Sequence, residues 1–307
     1  MYTSDSAFIS YCVAAFTGNT IWSATGFGHA IFYLLIYQVT DFLGLMTSTT
    51  LKYTILLQTI ALMPSLLFVY TTNFKNIWKD FHWRIIVPML IPEASLVYLG
   101  QYVQKFTDES LIRLIIGGFV LVVASLKIIQ NLSNKKVPDN ENEIENVEEG
   151  KLTNSNLNKE SIKYPKFMVP VVITVGCGAG FLGGLIGASG PPLIIFFLFF
   201  SFPKGIIRTT GFVTTTNNLI ARILSYLLTK PPQTDDYWSK HIENNSYESW
   251  FLKEDWPLYF GIAVCSILGT VVGSSLHKKL TPGKLDNILI FMLVVCSCLM
   301  LTKGILG

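Results

Sequence analysis

Charge is what this sequence has least of. Only 14% of its 307 residues are Asp, Glu, Lys or Arg, against about 25% in ordinary soluble domains. Half of the chain is hydrophobic, and its mean hydropathy is +0.47. The apolar residues fall in long runs, such as 170–202 and 256–276, each near or above the roughly 20 residues that cross a bilayer. This is the composition of a polytopic membrane protein. It excludes a soluble enzyme, a nucleic-acid binder and a secreted disulfide scaffold. The net charge of +3 is too small to imply a polyanionic partner. The five cysteines lie inside apolar runs with no CxxC spacing, so they read as small buried hydrophobes. A basic n-region is missing from residues 2–6, so the first apolar run is expected to remain as a span. No P-loop occurs, and no cofactor or nucleic-acid partner is expected.

One stretch breaks the apolar pattern. Residues 131–166 carry seven acidic residues, six lysines and almost no aromatics. Such a composition buries too little surface to fold. The expected organisation is a first membrane repeat over 1–131, a disordered polar linker over 132–167 and a second membrane repeat over 168–307.

Internal matches support the repeat. Phe16-Thr-Gly18 recurs as Phe181-Leu-Gly183, Thr47-Ser-Thr49 as Thr214-Thr-Thr216, and Phe106-Thr107 with Leu111 as Leu280-Thr281 with Leu285. The matches keep their order with slowly growing offset, and transporters are often built from such repeats. The expected fold class is an all-α polytopic membrane protein of two four-segment repeats. It would have about eight transmembrane helices, with broken, Gly-rich first helices in each half. The segments are 7–38, 42–70, 84–103 and 109–131, then 168–201, 206–229, 256–277 and 284–305. An unbroken helix over 7–38 or 168–201 would be ~50 Å long, well beyond the ~30 Å hydrocarbon core. The loop 230–255, with its tryptophans, reads equally as an interfacial cap or an aqueous loop.

The expected breaks sit at glycine-rich stretches. Residues 176–192 hold seven glycines and end in Ser189-Gly190-Pro191-Pro192. Proline there stops a continuous helix and suits the first turn of a new one. The new half-helix would point its free N–H groups and positive dipole end at membrane depth, where an anion binds without a charged side chain. Thr25, Gly26 and Gly28 form a weaker, proline-free counterpart. Gly176, Gly180 and Gly184, spaced by four, also read as a close-packing stripe. Thr214, Asn218 and Arg222 share one helical face, as do Thr47, Thr50, Thr54 and Gln58. Arg222 reads either as a functional intramembrane charge or as a snorkelling side chain. Arg208 reads as a flanking charge and Lys52 as interfacial.

At these residues the sequence resembles the TauE/SafE family of sulfite exporters and related anion permeases. The carrying features are residues 180–192, the echo over 16–28, the Thr-rich starts of the following helices and the four-plus-four organisation. Where the family pattern continues with glycines this chain has Pro191-Pro192, and its first-half glycines are thinned to Asn19, Trp22 and Ser23. The resemblance implies a secondary transporter of sulfite, a sulfonate or a related small organic anion, with the bilayer and a coupling ion as further partners. The candidate anion-binding residues are Thr25, Gly26, Gly28, Thr47, Ser48, Ser189, Gly190, Pro191, Thr214, Asn218 and Arg222. Two competing readings remain. Gly187-Ala-Ser189-Gly190 matches the G-x-S-G of rhomboid-type proteases, which need a histidine base near the serine; His241 and His277 are the late candidates. A non-transporting membrane receptor or scaffold is the other.

Orientation depends on parity. If every segment crosses once, the linker, the 71–83 loop, the 230–255 loop and both termini share one face. If the first segment of each half re-enters, each half crosses three times and the repeats are inverted.

Overall fold

The computed structural model describes residues 5–26, 28–45, 50–134, 167–200, 202–229, 255–279, 294–295 and 297–305. All the regular structure among them is helical: α1 (Asp5–Thr25), α2 (His29–Phe42), α3 (Leu51–Lys79), α4 (Trp83–Phe106), α5 (Glu109–Asn134), α6 (Met168–Ile186), α7 (Gly190–Phe199), α8 (Lys204–Leu228) and α9 (Trp256–Lys279), with a further helical stretch at 297–305. Five of the described helices, α3, α4, α5, α6 and α9, are long and apolar enough to cross a membrane. The helices α1 and α8 are long enough too, but Thr17, Asn19, Thr20 and Ser23 in one, and the Thr-Asn stripe in the other, lower their hydropathy. Helix α3 begins nine residues later than the apolar run and continues through the stretch expected as a loop, to Lys79. Its Thr71 and Thr72 hydroxyls bond back to the Leu67 and Phe68 carbonyls, so polar residues extend the helix. Most of the linker, most of 230–255 and the start of the 284–305 segment lie outside the described residues.

Both expected breaks are present. Gly26 and Gly28 have φ of 89° and 94°, and Gly187 has φ of 74°, a backbone region that favours glycine. At each break the chain turns back on itself. In the first hairpin, Ser6 Oγ donates to the Leu45 carbonyl at 3.2 Å, joining the start of α1 to the end of α2. A Cβ on Gly18 would lie 3.1 Å from the His29 carbonyl oxygen. Helix α2 therefore starts level with Gly18, about 10 Å short of the end of α1 at 1.5 Å per residue. The second hairpin repeats this. The Phe167 and Phe200 rings lie 6.3 Å apart, and Gly178 faces Pro192. Helices α2 and α7 thus both begin near half depth.

Contacts at the bundle ends fix the sense of each helix. One end gathers Asp41 of α2, Arg113 at the start of α5 and Lys303, together with the Tyr53–Asp255 hydrogen bond. The other gathers the end of α1 with the end of α9, through the Ala24 carbonyl and His277 Nδ1 at 2.7 Å, and Asp80 with Gly205.

Two helix pairs form the frame. Helix α4 lies along α6, and α1 along α9. Gly176, Gly180 and Gly184 of α6 sit against the backbone of Met89, Glu93 and Val97 of α4, so the four-residue glycine spacing meets a four-residue ladder of carbonyls. In the other pair the small residues are on α9, where Gly269 and Gly273 meet the Phe16 and Thr20 carbonyls. Large apolar side chains face outward, among them Leu67, Ile91 and Leu227. Trp78, Trp83 and Trp256 stand exposed near helix ends, where tryptophan favours the headgroup region.

Candidate functional site

The hairpin tips line a partly open cavity of about 30 Å³. It is lined by Trp22 of α1, Gly28 to Ile31 at the start of α2, Leu62 of α3, Gly187 to Pro191 and Leu193 around the start of α7, and Thr215 of α8. That space holds about two waters, so a larger solute enters only when the hairpin tips part. Both half-helix starts open into it.

The polar groups there are short of partners. His29 is 3% exposed, and neither ring nitrogen has a hydrogen-bond partner among the described residues. The buried Trp22 Nε1 is likewise unpaired among them. Buried polar atoms are normally satisfied, so these two point to a ligand or water. The two half-helices differ in what they offer. The N–H groups of His29 and Ala30 precede the first bonds of α2 and face the cavity lining. In α7, Pro191 and Pro192 have no N–H, which leaves Gly190 as the N–H donor of its first turn. The weaker-looking motif of the first half is therefore the richer donor.

Arg222 is 1% exposed and does not snorkel. Its Nη2 donates to the Ile55 carbonyl at 2.8 Å, and Nη1 lies against Gly187, where a Cβ would come within 2.9 Å of it. Gln58 Nε2 donates to the Gly187 carbonyl at 2.9 Å. Arginine and glutamine thus clasp the turn from behind, and Arg222 has no carboxylate partner among the described residues. A buried cation of this kind makes the region electropositive, and the half-helix dipoles add to it.

The sequence-nominated residues divide. Gly28, Ser189, Gly190 and Pro191 line the cavity. Ser189 is at the N-cap position but makes no side-chain cap bond, which leaves its hydroxyl available. Gly26 packs against Arg208 and Gly211 instead. The Thr25 hydroxyl bonds back to the Ile21 carbonyl, and that of Thr214 to the Thr210 carbonyl. Asn218 faces Gly183. Thr214, Asn218 and Arg222 do share a face, yet it is turned away from the cavity, and the neighbouring Thr215 is the α8 residue that reaches it. Thr47 and Ser48 lie outside the described residues. Arg208 is no flanking charge: it donates to the Ser23 carbonyl at 2.9 Å and caps the buried end of α1. Lys52 is buried and reaches the Lys105 carbonyl.

Trp22, His29 and Thr215 are cavity-lining residues that sequence reasoning did not reach; Glu93, fully buried in α4, lies outside that lining and was not reached either. Glu93 is the lone acid within 84–103 and His29 sits at the first break; both signals were legible. No Ser–His dyad forms among the described residues. His29 shares the cavity with Ser189, but its ring nitrogens bond to nothing described, His277 is engaged with Ala24, and His241 lies outside the described residues.

No curated protein and no solved structure gives a significant match to the chain. Residues 11–300 match the family described as Sulfite exporter TauE/SafE. With membrane-spanning helices, two half-depth helix starts and an electropositive cavity between them, this chain belongs to the TauE/SafE sulfite exporter family, a family of integral membrane transporters.

Proposed function

We propose that the chain moves a small oxyanion, sulfite or a sulfonate, through the cavity between its two half-helices. The observation that carries this reading is the pair of unpaired buried donors, the His29 ring and Trp22 Nε1, on residues that line a cavity backed by Arg222. A neutral imidazole N–H, the first N–H groups of α2 and the Ser189 hydroxyl would replace part of the anion's hydration shell. Each such bond counts for more in a low-dielectric interior than at a surface.

The reading includes two inverted repeats, 1–131 and 168–307, joined by a polar linker. Three features support it. Both halves open with a hairpin broken at half depth. The first helix of each half packs along the fourth of the other, α1 on α9 and α6 on α4. Helices α3, α4 and α5 are each long and apolar enough to cross, and we read them as three crossings in the first half. Odd parity makes the second hairpin enter from the opposite face, an arrangement common in alternating-access transporters. The end holding the 80–82 turn, the start of α8 and the end of α9 carries Lys75, Lys79, Arg84, Lys204, Lys278 and Lys279, so it is the cytoplasmic one by the positive-inside rule.

Sulfite exchange in proteoliposomes tests the proposal. The unmodified protein exchanges sulfite above protein-free vesicles, and His29→Leu lowers the rate by about tenfold or more, since a charge-assisted bond is worth about 1.5–3 kcal/mol. Exchange unaffected by that substitution would remove the cavity from the anion's path.

A further inference from the structure

Among the described residues, Glu93 is a buried charge-bearing side chain in the middle of the bundle that the anion cavity does not use. It lies near the centre of α4, about 15 Å of helix from its start and about 20 Å from its end. It is 0% exposed. Its Oε2 accepts from Asn217 Nδ2 at 3.0 Å, while Oε1 is buried with no hydrogen-bond partner among the described residues. On the other side its backbone presses on Gly180 of α6 so closely that a Cβ there would collide with it. The side chain is buried away from lipid, and no cation pairs with it among the described residues.

Its surroundings hold nothing else that titrates within ion-pair distance. From α8, the Asn217 and Asn218 amides both face it, and Asn218 also lies against Gly183; the charges of that helix are Lys204 and Arg208 near its start and Arg222 one turn beyond Asn218. From α6 it meets glycine backbone, and the titratable residue of that helix is the Cys177 thiol. On α4 itself, Arg84 and Lys105 sit at the two ends. A carboxylate met by neutral amides alone at this depth is disfavoured relative to the carboxylic acid, and Oε1 is the oxygen left free to take a proton.

We propose that Glu93 is a proton-binding site that couples transport, one proton moving with each anion. This rests on the reading of the cavity as the anion path. Asn217 holds the carboxyl from α8, and Glu93 packs against Gly180 of α6, seven residues or about 10 Å of helix before the Gly187 turn that lines the cavity. An anion arriving beside the hairpin tips disfavours a second negative charge nearby, so occupancy of the cavity and protonation of Glu93 promote each other. When the bundle rearranges and water reaches the carboxyl from the other face, proton and anion leave together. The net step is transfer of one H⁺ and one anion across the bilayer, with no bond otherwise made or broken.

The test separates exchange from coupled uptake, using sulfite in proteoliposomes with protein-free vesicles subtracted. With the interior made alkaline, the unmodified protein accumulates sulfite and acidifies the lumen. One coupled proton supports up to about tenfold accumulation per pH unit, the ratio equivalent to 1.4 kcal/mol. Glu93→Gln keeps the amide-sized side chain and the Asn217 contact; it continues to exchange sulfite but no longer accumulates it or moves protons. Glu93→Asp retains coupling. Accumulation that persists in Glu93→Gln, or coupling lost in His29→Asn but kept in Glu93→Gln, overturns the proposal. So does an unmodified protein that exchanges sulfite without moving protons, whatever the variants do. An unmodified protein that exchanges no sulfite at all refutes instead the anion path on which the proposal rests.

Discussion

Replacing Arg222 with leucine separates binding from folding. The guanidinium stands behind the Gly187 turn, held by the Ile55 carbonyl at 2.8 Å and without an acidic partner among the described residues. Taking a separation of about 8 Å to an anion at the hairpin tips and an effective dielectric of about 20, the attraction is roughly 2 kcal/mol. Losing it weakens anion affinity by about thirtyfold, at 1.4 kcal/mol per decade. The effect on folding runs the other way. Leucine is easier to place in a bilayer by roughly 3 kcal/mol, while the released Ile55 carbonyl and the lost bond cost about 1 kcal/mol. Arg222→Leu therefore gives a protein that inserts and melts no lower than the original, with a sulfite half-saturation concentration raised about thirtyfold on the same arithmetic. Arg222→Lys keeps the charge but not the fork that reaches both Ile55 and Gly187, and falls between the two. The assays are sulfite exchange over a concentration series and thermal unfolding in detergent. Half-saturation unchanged in Arg222→Leu would refute the electrostatic argument and leave Arg222 as a fastener of the turn.

Two further substitutions probe the breaks and the frame. Ser189→Ala removes one uncommitted hydroxyl and raises the half-saturation concentration by about fivefold, on the order of 1 kcal/mol, whereas Gly187→Val strains a backbone at φ of 74° and drives a side chain into Gln58 and Arg222, abolishing exchange; a serine protease would instead lose all activity with Ser189→Ala. Gly180→Val meets the Glu93 backbone and separates α4 from α6, so yield of monodisperse protein collapses, while Gly118→Val, with nothing within 4 Å of its Cβ position, leaves yield unchanged; equal yields would dissolve the close-packing account.

Much of this molecule can be read from one chain of letters, because a bilayer leaves few choices. Backbone groups in hydrocarbon must be satisfied internally, so long apolar runs become helices. A run too long for the membrane, interrupted by Gly28 or by Gly187 with Pro191, has to break there. The four-residue spacings also carried over: glycines 176, 180 and 184 meet one partner helix, and Thr214, Asn218 and Arg222 share one face. Periodicity fixes which residues lie together on a helix. It is silent on how that helix is rotated about its axis against its neighbours, and so Thr215, not Thr214, faces the cavity. Nor does it give the direction of the chain after a break. That the hairpins return, and that α2 and α7 begin at half depth, follows from Ser6 meeting Leu45 and Phe167 meeting Phe200, contacts that only packing creates. Glu93, the lone acid within 84–103, was visible as a letter. Its meaning depends on Asn217, 124 residues away, because a carboxyl's protonation is decided by the groups brought against it, and those come from other helices.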